Sequence, residues 1–209
     1  MVRAMRVGLA AAAAVAAVAC GATTFNSVWK APTAGPLNFK GKKVAALVVS
    51  KEEGVRYGAE DALAREITAQ GAVGVAAYTL IPRELTQDRD KAKEFLDKAG
   101  VAGVVAMRVV GKEKELSSSP STMYWGAPYY GSFWGGGYYG WGWGGVYDPG
   151  YLRTDTIVSV EPLVYSLDQD KLVWAGRSQT TNPSKVGDFI KELVVAAAKE
   201  MRKQGLIKS

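Results

Sequence analysis

Residues 117–151 constrain the fold more than any other stretch. They hold twelve of the chain's 21 aromatic residues, interspersed with glycine, and no charged residue occurs from Leu116 to Tyr147. Glycine raises the entropy cost of ordering a chain and weakens helices and strands, so this stretch is a poor source of regular structure. The patterned sequence on either side therefore has to build the domain, and residues 117–151 are predicted to be an insert within it.

The first nineteen residues have the pattern of a secretory signal peptide. Arg3 and Arg6 precede an uncharged apolar run, Val7–Ala19, which is too short to span a bilayer comfortably and ends in small residues. A short buried helix is the alternative, but a helix of almost only Ala and Val has little bulk to pack. Residues 1–19 are therefore predicted to be removed on export.

Cys20 directly follows this segment and is the chain's single cysteine. An exported domain with one Cys cannot form an internal disulfide, which leaves lipidation, a free thiol or an intermolecular bridge. The run Ala17-Val18-Ala19-Cys20-Gly21 resembles the bacterial lipobox, in which the Cys is acylated, for example with palmitate, and becomes the mature N-terminus. Ordinary signal cleavage is the alternative, because Ala17 stands where that family usually has Leu. Gly21 is not the Asp of inner-membrane retention, so the resemblance implies the outer membrane, on its periplasmic or its surface face.

Composition narrows the class of protein. Without residues 1–19, 190 of the 209 residues remain, which suits one domain with a core and a long insert. The formal net charge falls from +6 to +4 without Arg3 and Arg6, and the other Lys and Arg are spread among acidic residues. This is typical of a solvated surface and argues against a nucleic-acid partner. The chain has no His, which excludes His general bases, Ser-His-Asp triads and His-based zinc sites, and we predict no cofactor or metal.

The patterned segments predict an α/β fold of mixed α+β type. Strands are expected at 44–49, 73–81 and 103–115, and helices at 55–70 and 90–99, the second capped by Thr86 or Asp88. This β-α-β-α-β order favours parallel pairing. After the insert, residues 154–167 and 172–180 predict an antiparallel hairpin, in which Pro162 indicates an edge strand or a bulge. An amphipathic C-terminal helix should begin near Val186, capped by Asn182 or Ser184.

These expectations divide the chain into a signal peptide (1–19), a lipid-anchored tether (20–43) and an α/β domain (44–209) that carries the insert. The sheet is expected to have about five strands. In its Lys42–Val44 strand, its Tyr57–Leu63 helix, its Gly-aromatic insert and its Thr181–Pro183 segment, the chain resembles a family of bacterial envelope lipoproteins. The order of elements is also similar to the TolB N-terminal domain and the curli-secretion lipoprotein. The resemblance implies a role in envelope assembly or secretion, although fold alone does not carry function.

Within the insert, Gly135–Gly140 matches G-x-G-x-x-G, but no helix can start after it, so it is not a dinucleotide site. Three interpretations of the insert remain. The insert is a mobile loop whose rings cluster together, a surface that contacts a membrane or an envelope protein, or a surface that stacks on glycans such as peptidoglycan. The residues predicted to make such contacts are Tyr124, Trp125, Tyr129, Tyr130, Phe133, Trp134, Tyr138, Tyr139, Trp141 and Trp143.

An enzyme would have to rely on carboxylates. Asp155, Glu161, Asp168 and Asp170 are the candidates, and a pair of them could serve glycoside hydrolysis. The simpler interpretation places Asp155 and Glu161 on the solvent face of a strand, and Asp168 and Asp170 in a turn. The chain is therefore predicted to be a non-catalytic lipoprotein of the bacterial envelope. A glycan-binding lipoprotein is the alternative, and a carboxylate-dependent hydrolase is the less favoured one.

Overall fold

In the part of the chain that the structure describes, six strands form one mixed sheet and three α-helices cover it. The computed structural model describes residues 23–86, 88–115, 155–183 and 185–208. The strands are β1 (Thr24–Lys30), β2 (Lys43–Val49), β3 (Val73–Ala76), β4 (Val101–Glu115), β5 (Asp155–Ser166) and β6 (Lys171–Thr181). The helices are α1 (Glu53–Ala69), α2 (Arg89–Lys98) and α3 (Val186–Lys203). The strand order across the sheet is β1-β6-β5-β4-β2-β3. The predicted fold class is confirmed.

The first half of the sheet is parallel, as its element order predicts. β2 lies between β3 and β4 and pairs in parallel with both. α1 connects β2 to β3, and α2 connects β3 to β4. Gly71 and Gly100, which follow the two helices, have φ of 95° and 68°, a region that L side chains seldom adopt and glycine enters freely.

The second half of the sheet is antiparallel and contains one strand that the sequence did not predict. β4 pairs with β5, β5 with β6, and β6 with β1. β1 lies within the segment predicted to be a tether, so the sheet has six strands instead of about five. A bulge between Phe25 and Ser27 shifts its register. As a result Phe25 packs with Trp174 on one face, while Trp29 packs on the other, and the simple alternation expected of a strand is hidden.

Two predicted strands differ from the structure in detail. The segment predicted as a strand from 73 to 81 is a strand only over Val73–Ala76, and a 3₁₀ turn follows over Ala77–Thr79. Pro162 indicated an edge strand or a bulge: β5 is an interior strand in which Pro162 pairs with Met107 of β4, and its pairing with β6 shifts register between Val164 and Tyr165. On the β6 side, the pairing passes from Val160 to Leu163. Pro has no N–H to donate, so an interior strand tolerates it at such a gap in the ladder.

The helix caps follow the prediction at α2 and differ at α3. Asp88 caps α2, and its carboxylate accepts a hydrogen bond from the Lys91 N–H at 3.2 Å. The N-cap position of α3 is Lys185, which makes no side-chain cap. Asn182, one of the two predicted caps, accepts instead from the Thr156 N–H at 2.9 Å. Ser184, the other, lies outside the described residues.

The core forms on both faces of the sheet. α1 and α3 pack on one face, around Leu63, Phe189 and Leu193. α2 and the chain before it pack on the other face, around Ala92 and Leu96. The four-stranded antiparallel part thus shares one core with the parallel part, which makes the described residues a single framework for the insert.

Candidate functional site

The residues predicted to carry the lipid and to make the aromatic contacts all lie outside the described part of the chain. This holds for Cys20 and for the ten aromatic residues of the insert, Tyr124, Trp125, Tyr129, Tyr130, Phe133, Trp134, Tyr138, Tyr139, Trp141 and Trp143. The described residues do show where these two segments join the domain. That geometry decides whether the anchor and the insert can act on the same surface.

The N-terminal segment joins the domain at one end of the sheet. Thr24, the first residue of β1, pairs with Gln179 near the end of β6. The Thr23 hydroxyl is hydrogen-bonded to the Thr180 hydroxyl, with the two oxygens 2.8 Å apart. Thr23 is three residue steps from Cys20, so a fully extended chain keeps Cys20 within about 11 Å of this point.

The insert joins the domain at the same end. Glu115 and Asp155, which flank residues 116–154, pair with each other at the end of the β4–β5 ladder. Asn182 stabilises this end, because its N–H donates to the Thr156 carbonyl at 2.8 Å and its side chain accepts from the Thr156 N–H. We call this the insert end, defined by Thr24, Glu115, Asp155 and Thr181. The opposite end, at the Leu167–Asp170 turn, is the turn end.

The separation of the two junctions follows from the strand register. Thr24 pairs with Gln179, and Gln179 pairs with Ser159 of β5. Two strand spacings and four residues along β5 separate Thr24 from Asp155, which corresponds to about 16 Å. An anchor on Cys20 and the insert therefore start from neighbouring points on one end of the domain.

An ion pair supports the strands that carry the insert. The Arg108 guanidinium on β4 donates to one Glu161 carboxylate oxygen on β5 from Nε and Nη2, at 2.9 and 2.6 Å. The Glu161 side chain is only 4% exposed, so the prediction that it lies on the solvent face of its strand is wrong. The reason is its neighbour across the ladder, because a buried carboxylate is tolerated where an Arg hydrogen-bonds to it.

The four candidate carboxylates are spread along the strand direction, from the insert end to the turn end. Asp155 starts β5 at the insert end, and Glu161 lies in the middle of that strand. Asp168 and Asp170 lie at the turn end, where Asp168 pairs with Lys42 at 3.0 Å and Asp170 accepts from the Tyr165 hydroxyl at 2.7 Å. Asp168 and Asp170 thus sit in the predicted turn.

Glu60 is a buried carboxylate that the sequence did not single out. It is fully buried in α1 and accepts the N–H groups of Val48, within β2, at 3.2 Å and of Tyr78, in the 3₁₀ turn after β3, at 2.7 Å. Burial raises the pKa of Glu60 from 4.5 to about 7, against the opposing effect of these N–H donors and of Arg56. Helical periodicity cannot reveal this role, because the two N–H groups come from other elements.

The raised pKa of Glu60 predicts a pH-dependent stability. The folded protein holds the proton more tightly than the unfolded chain, so this group's contribution is complete below about pH 4.5 and is lost as pH rises through about 7. The loss should amount to roughly 3 kcal/mol, at about 1.4 kcal/mol per pKa unit. Urea unfolding at several pH values should show a flatter dependence for Glu60→Gln than for the wild type. Equal slopes in the two proteins would contradict the assignment.

Two general searches give negative results for the described residues. No group of three or more Asp, Glu, His or Cys side chains there is placed to hold a metal ion. No helix in residues 23–208, as far as they are described, has the length and apolarity needed to cross a membrane.

No family model and no curated protein matches the sequence. Among solved structures, the chain is similar to a PelC dodecamer from Paraburkholderia phytofirmans, with 14% identity, 88% of this chain and 99% of that chain covered, and a TM-score of 0.46. A variant of that PelC covers 81% of this chain and 95% of its own, again at 14% identity and a TM-score of 0.46. Lipoprotein GNA1162 from Neisseria meningitidis is similar at 14% identity, with 77% and 97% covered and a TM-score of 0.39. At such values these similarities decide no function, and the likeness to TolB and to the curli-secretion lipoprotein stays a prediction.

Proposed function

We propose that the chain is a non-catalytic lipoprotein of the bacterial envelope whose lipid anchor and aromatic insert contact the same outer-membrane surface. The observation that supports this is the shared insert end, where the N-terminal segment and both ends of the insert join the domain. An acyl anchor on Cys20 brings this end to the bilayer. Tyr and Trp side chains favour the membrane–water interface, because one part of the ring system is apolar and the other can hydrogen-bond.

The lipid anchor is strengthened by a second contact with the membrane. Acyl chains contribute about 0.8 kcal/mol per buried methylene, and stable anchoring needs a second signal beside a single chain. The insert is a suitable second signal, because it joins the domain at Asp155, about 16 Å from Thr24 at the anchor junction. It would orient the domain on the membrane as well as retain it.

Flotation of the full chain with lipid vesicles tests the proposal. The proteins to compare are the wild type, Cys20→Ala, a variant with the ten aromatic residues replaced by Ser, and the combination of both changes. The Ser variant keeps the length of the insert, so it isolates the rings from the chain. All four are expected to fold, because the core clusters described here lie outside the insert.

The expected result is a graded loss of vesicle binding. Cys20→Ala should bind at least about 100-fold more weakly than the wild type, with the residual binding lost in the combined variant. If the combined variant binds as well as Cys20→Ala, the insert does not contact lipid. The same two variants would then be compared with peptidoglycan sacculi in place of vesicles. Weaker binding of the combined variant than of Cys20→Ala to sacculi would favour the glycan-binding alternative.

A further inference from the structure

A cavity of about 760 Å³ lies between the sheet and the helices α1 and α3. Its walls come from the C-terminal halves of both helices, from strands β2, β4, β5 and β6, and from the loop before β2. The volume falls within the range of about 300–1,000 Å³ that is usual for small-molecule sites. It was not predictable from the sequence, because no single element supplies its lining.

The interior of the cavity is apolar. Val44, Met107 and Val164 form part of its floor on the sheet and are at most 3% exposed. Ala197 and Ala198 face them from α3, and these small side chains leave the space between helix and sheet unfilled. Such a lining selects an apolar ligand or the apolar part of a larger one.

The mouth of the cavity is basic. Its exposed lining residues lie at the turn end, where α1 and α3 finish, and they include Lys40, Arg202 and Lys208. Arg202 donates to the Gln70 side chain at 2.9 Å. No carboxylate is among the described residues that line the cavity. The rim therefore favours a negatively charged group.

The wall also contains a buried hydrogen-bond donor, the indole of Trp174. Trp174 lines the cavity with its side chain fully buried, and its indole Nε1–H has no acceptor among the described residues. A buried donor without a partner is destabilising, because it has given up its hydrogen bonds to water. As part of the wall, the Trp174 indole is placed to report a change in its surroundings when the cavity fills.

We propose that this cavity binds a single-chain acyl anion, such as a fatty acid, with the chain inside and the carboxylate at the basic mouth. The cavity opens at the turn end, whereas the segment that carries Cys20 joins the domain at the insert end, next to Thr180. Thr180 lies six residues along β6 from Trp174, which corresponds to about 20 Å. We take the ligand to be a separate molecule, because the mouth of the cavity and the anchor junction lie at opposite ends of the domain.

The test follows the Trp174 indole signal by NMR in the full chain, labelled with ¹⁵N-tryptophan and held in phosphatidylcholine nanodiscs. Trp174→Phe assigns the signal. The probes are dodecanoate, dodecanol with the same chain and no charge, and butyrate with the same charge and a short chain. Because every variant is in the same nanodisc, partition of the probe into lipid affects all of them equally.

Dodecanoate should shift the Trp174 signal in a saturable way, and affinity should rise about threefold to fourfold per methylene from butyrate upwards. The Lys40→Gln, Arg202→Gln, Lys208→Gln triple variant should bind about tenfold more weakly, while Lys203→Gln, on the same helix but outside the lining, should bind as the wild type does. Ala197→Phe should fill the cavity and abolish the shift.

Three results would overturn the proposal. They are the absence of a saturable Trp174 shift, equal affinities for dodecanoate and dodecanol, and unchanged binding in a folded Ala197→Phe variant. If Ala197→Phe does not fold, the triple variant and the chain-length series take its place, because neither alters the core. Unchanged binding in the triple variant, or no gain in affinity with chain length, would then overturn the proposal.

Discussion

Leu193→Ala is expected to lower the free energy of unfolding by about 2–5 kcal/mol, the range for removing a buried leucine side chain. Leu193 is fully buried on α3, in the cluster where α3 meets α1 and the sheet. The sheet and the two helices converge on this position, so the surroundings cannot collapse into the space. For a domain of this size, the melting temperature should fall by about 6–12 °C per 3 kcal/mol.

Val195→Ala is the matched control. Val195 lies two residues further along the same helix and is 49% exposed. Its truncation should change stability by less than about 0.5 kcal/mol. Urea unfolding of both variants, followed by far-UV circular dichroism, measures the difference. Similar losses in the two variants would mean that α3 does not pack as described.

Gly74→Val is the second substitution with a large expected effect. A Cβ at Gly74 would lie 2.0 Å from the carbonyl oxygen of Ala64 in α1, so β3 and α1 would have to separate. The same contact is held by Thr68, whose hydroxyl donates to the Ala64 carbonyl at 2.9 Å and accepts the Gly74 N–H at 3.0 Å. The expected loss is at least about 2–3 kcal/mol, at the upper end of overpacking effects.

Gly58→Ala separates the effect of the contact from that of losing a glycine. No atom lies within 4 Å of a Cβ at Gly58, which is inside α1. This substitution should stabilise the protein by about 0.5–1 kcal/mol, because Ala forms helices better than Gly. Hydrogen exchange should show faster exchange at β3 in Gly74→Val and no change there in Gly58→Ala. Unchanged exchange at β3 in both would contradict the close contact.

Local patterns predicted the helices and the parallel half of the sheet. α2 is the clearest case, because its apolar spacing and the Asp88 cap both lie within a dozen residues. α3 also follows its apolar periodicity, and Gly205 after it has the positive φ typical of a helix end. Such features depend on neighbours in sequence, so the sequence alone contains them.

Features that depend on distant partners were missed or misplaced. β1 is a strand because β6 pairs with it about 150 residues later, and its bulge conceals the alternation. Glu161 is buried because Arg108 lies across the ladder, and Glu60 is buried because β2 and the 3₁₀ turn after β3 present N–H groups to it. The cavity has the same origin, since its lining comes from several elements at once. Register and packing decide these features, and neither is written in a local pattern.

In the orientation that we propose, the insert end faces the membrane and the turn end faces away. Lys171 and Thr181 bound β6, and its ten residue steps separate the two ends by about 34 Å. One added Cys at each end provides a labelling position. Suitable residues are Thr181, which is exposed at the insert end, and Lys98, which is exposed at the C-terminus of α2 at the turn end. A Cys20 that is acylated takes no thiol label, so the wild type should remain unlabelled.

The measurement is quenching of a fluorophore at each position by a nitroxide on the lipid head group, in the full chain reconstituted in vesicles. We expect strong quenching at Thr181→Cys and little at Lys98→Cys. Replacing the ten aromatic residues with Ser should reduce the difference, because the insert helps to orient the domain. Equal quenching at the two positions, or stronger quenching at Lys98→Cys, would contradict the account.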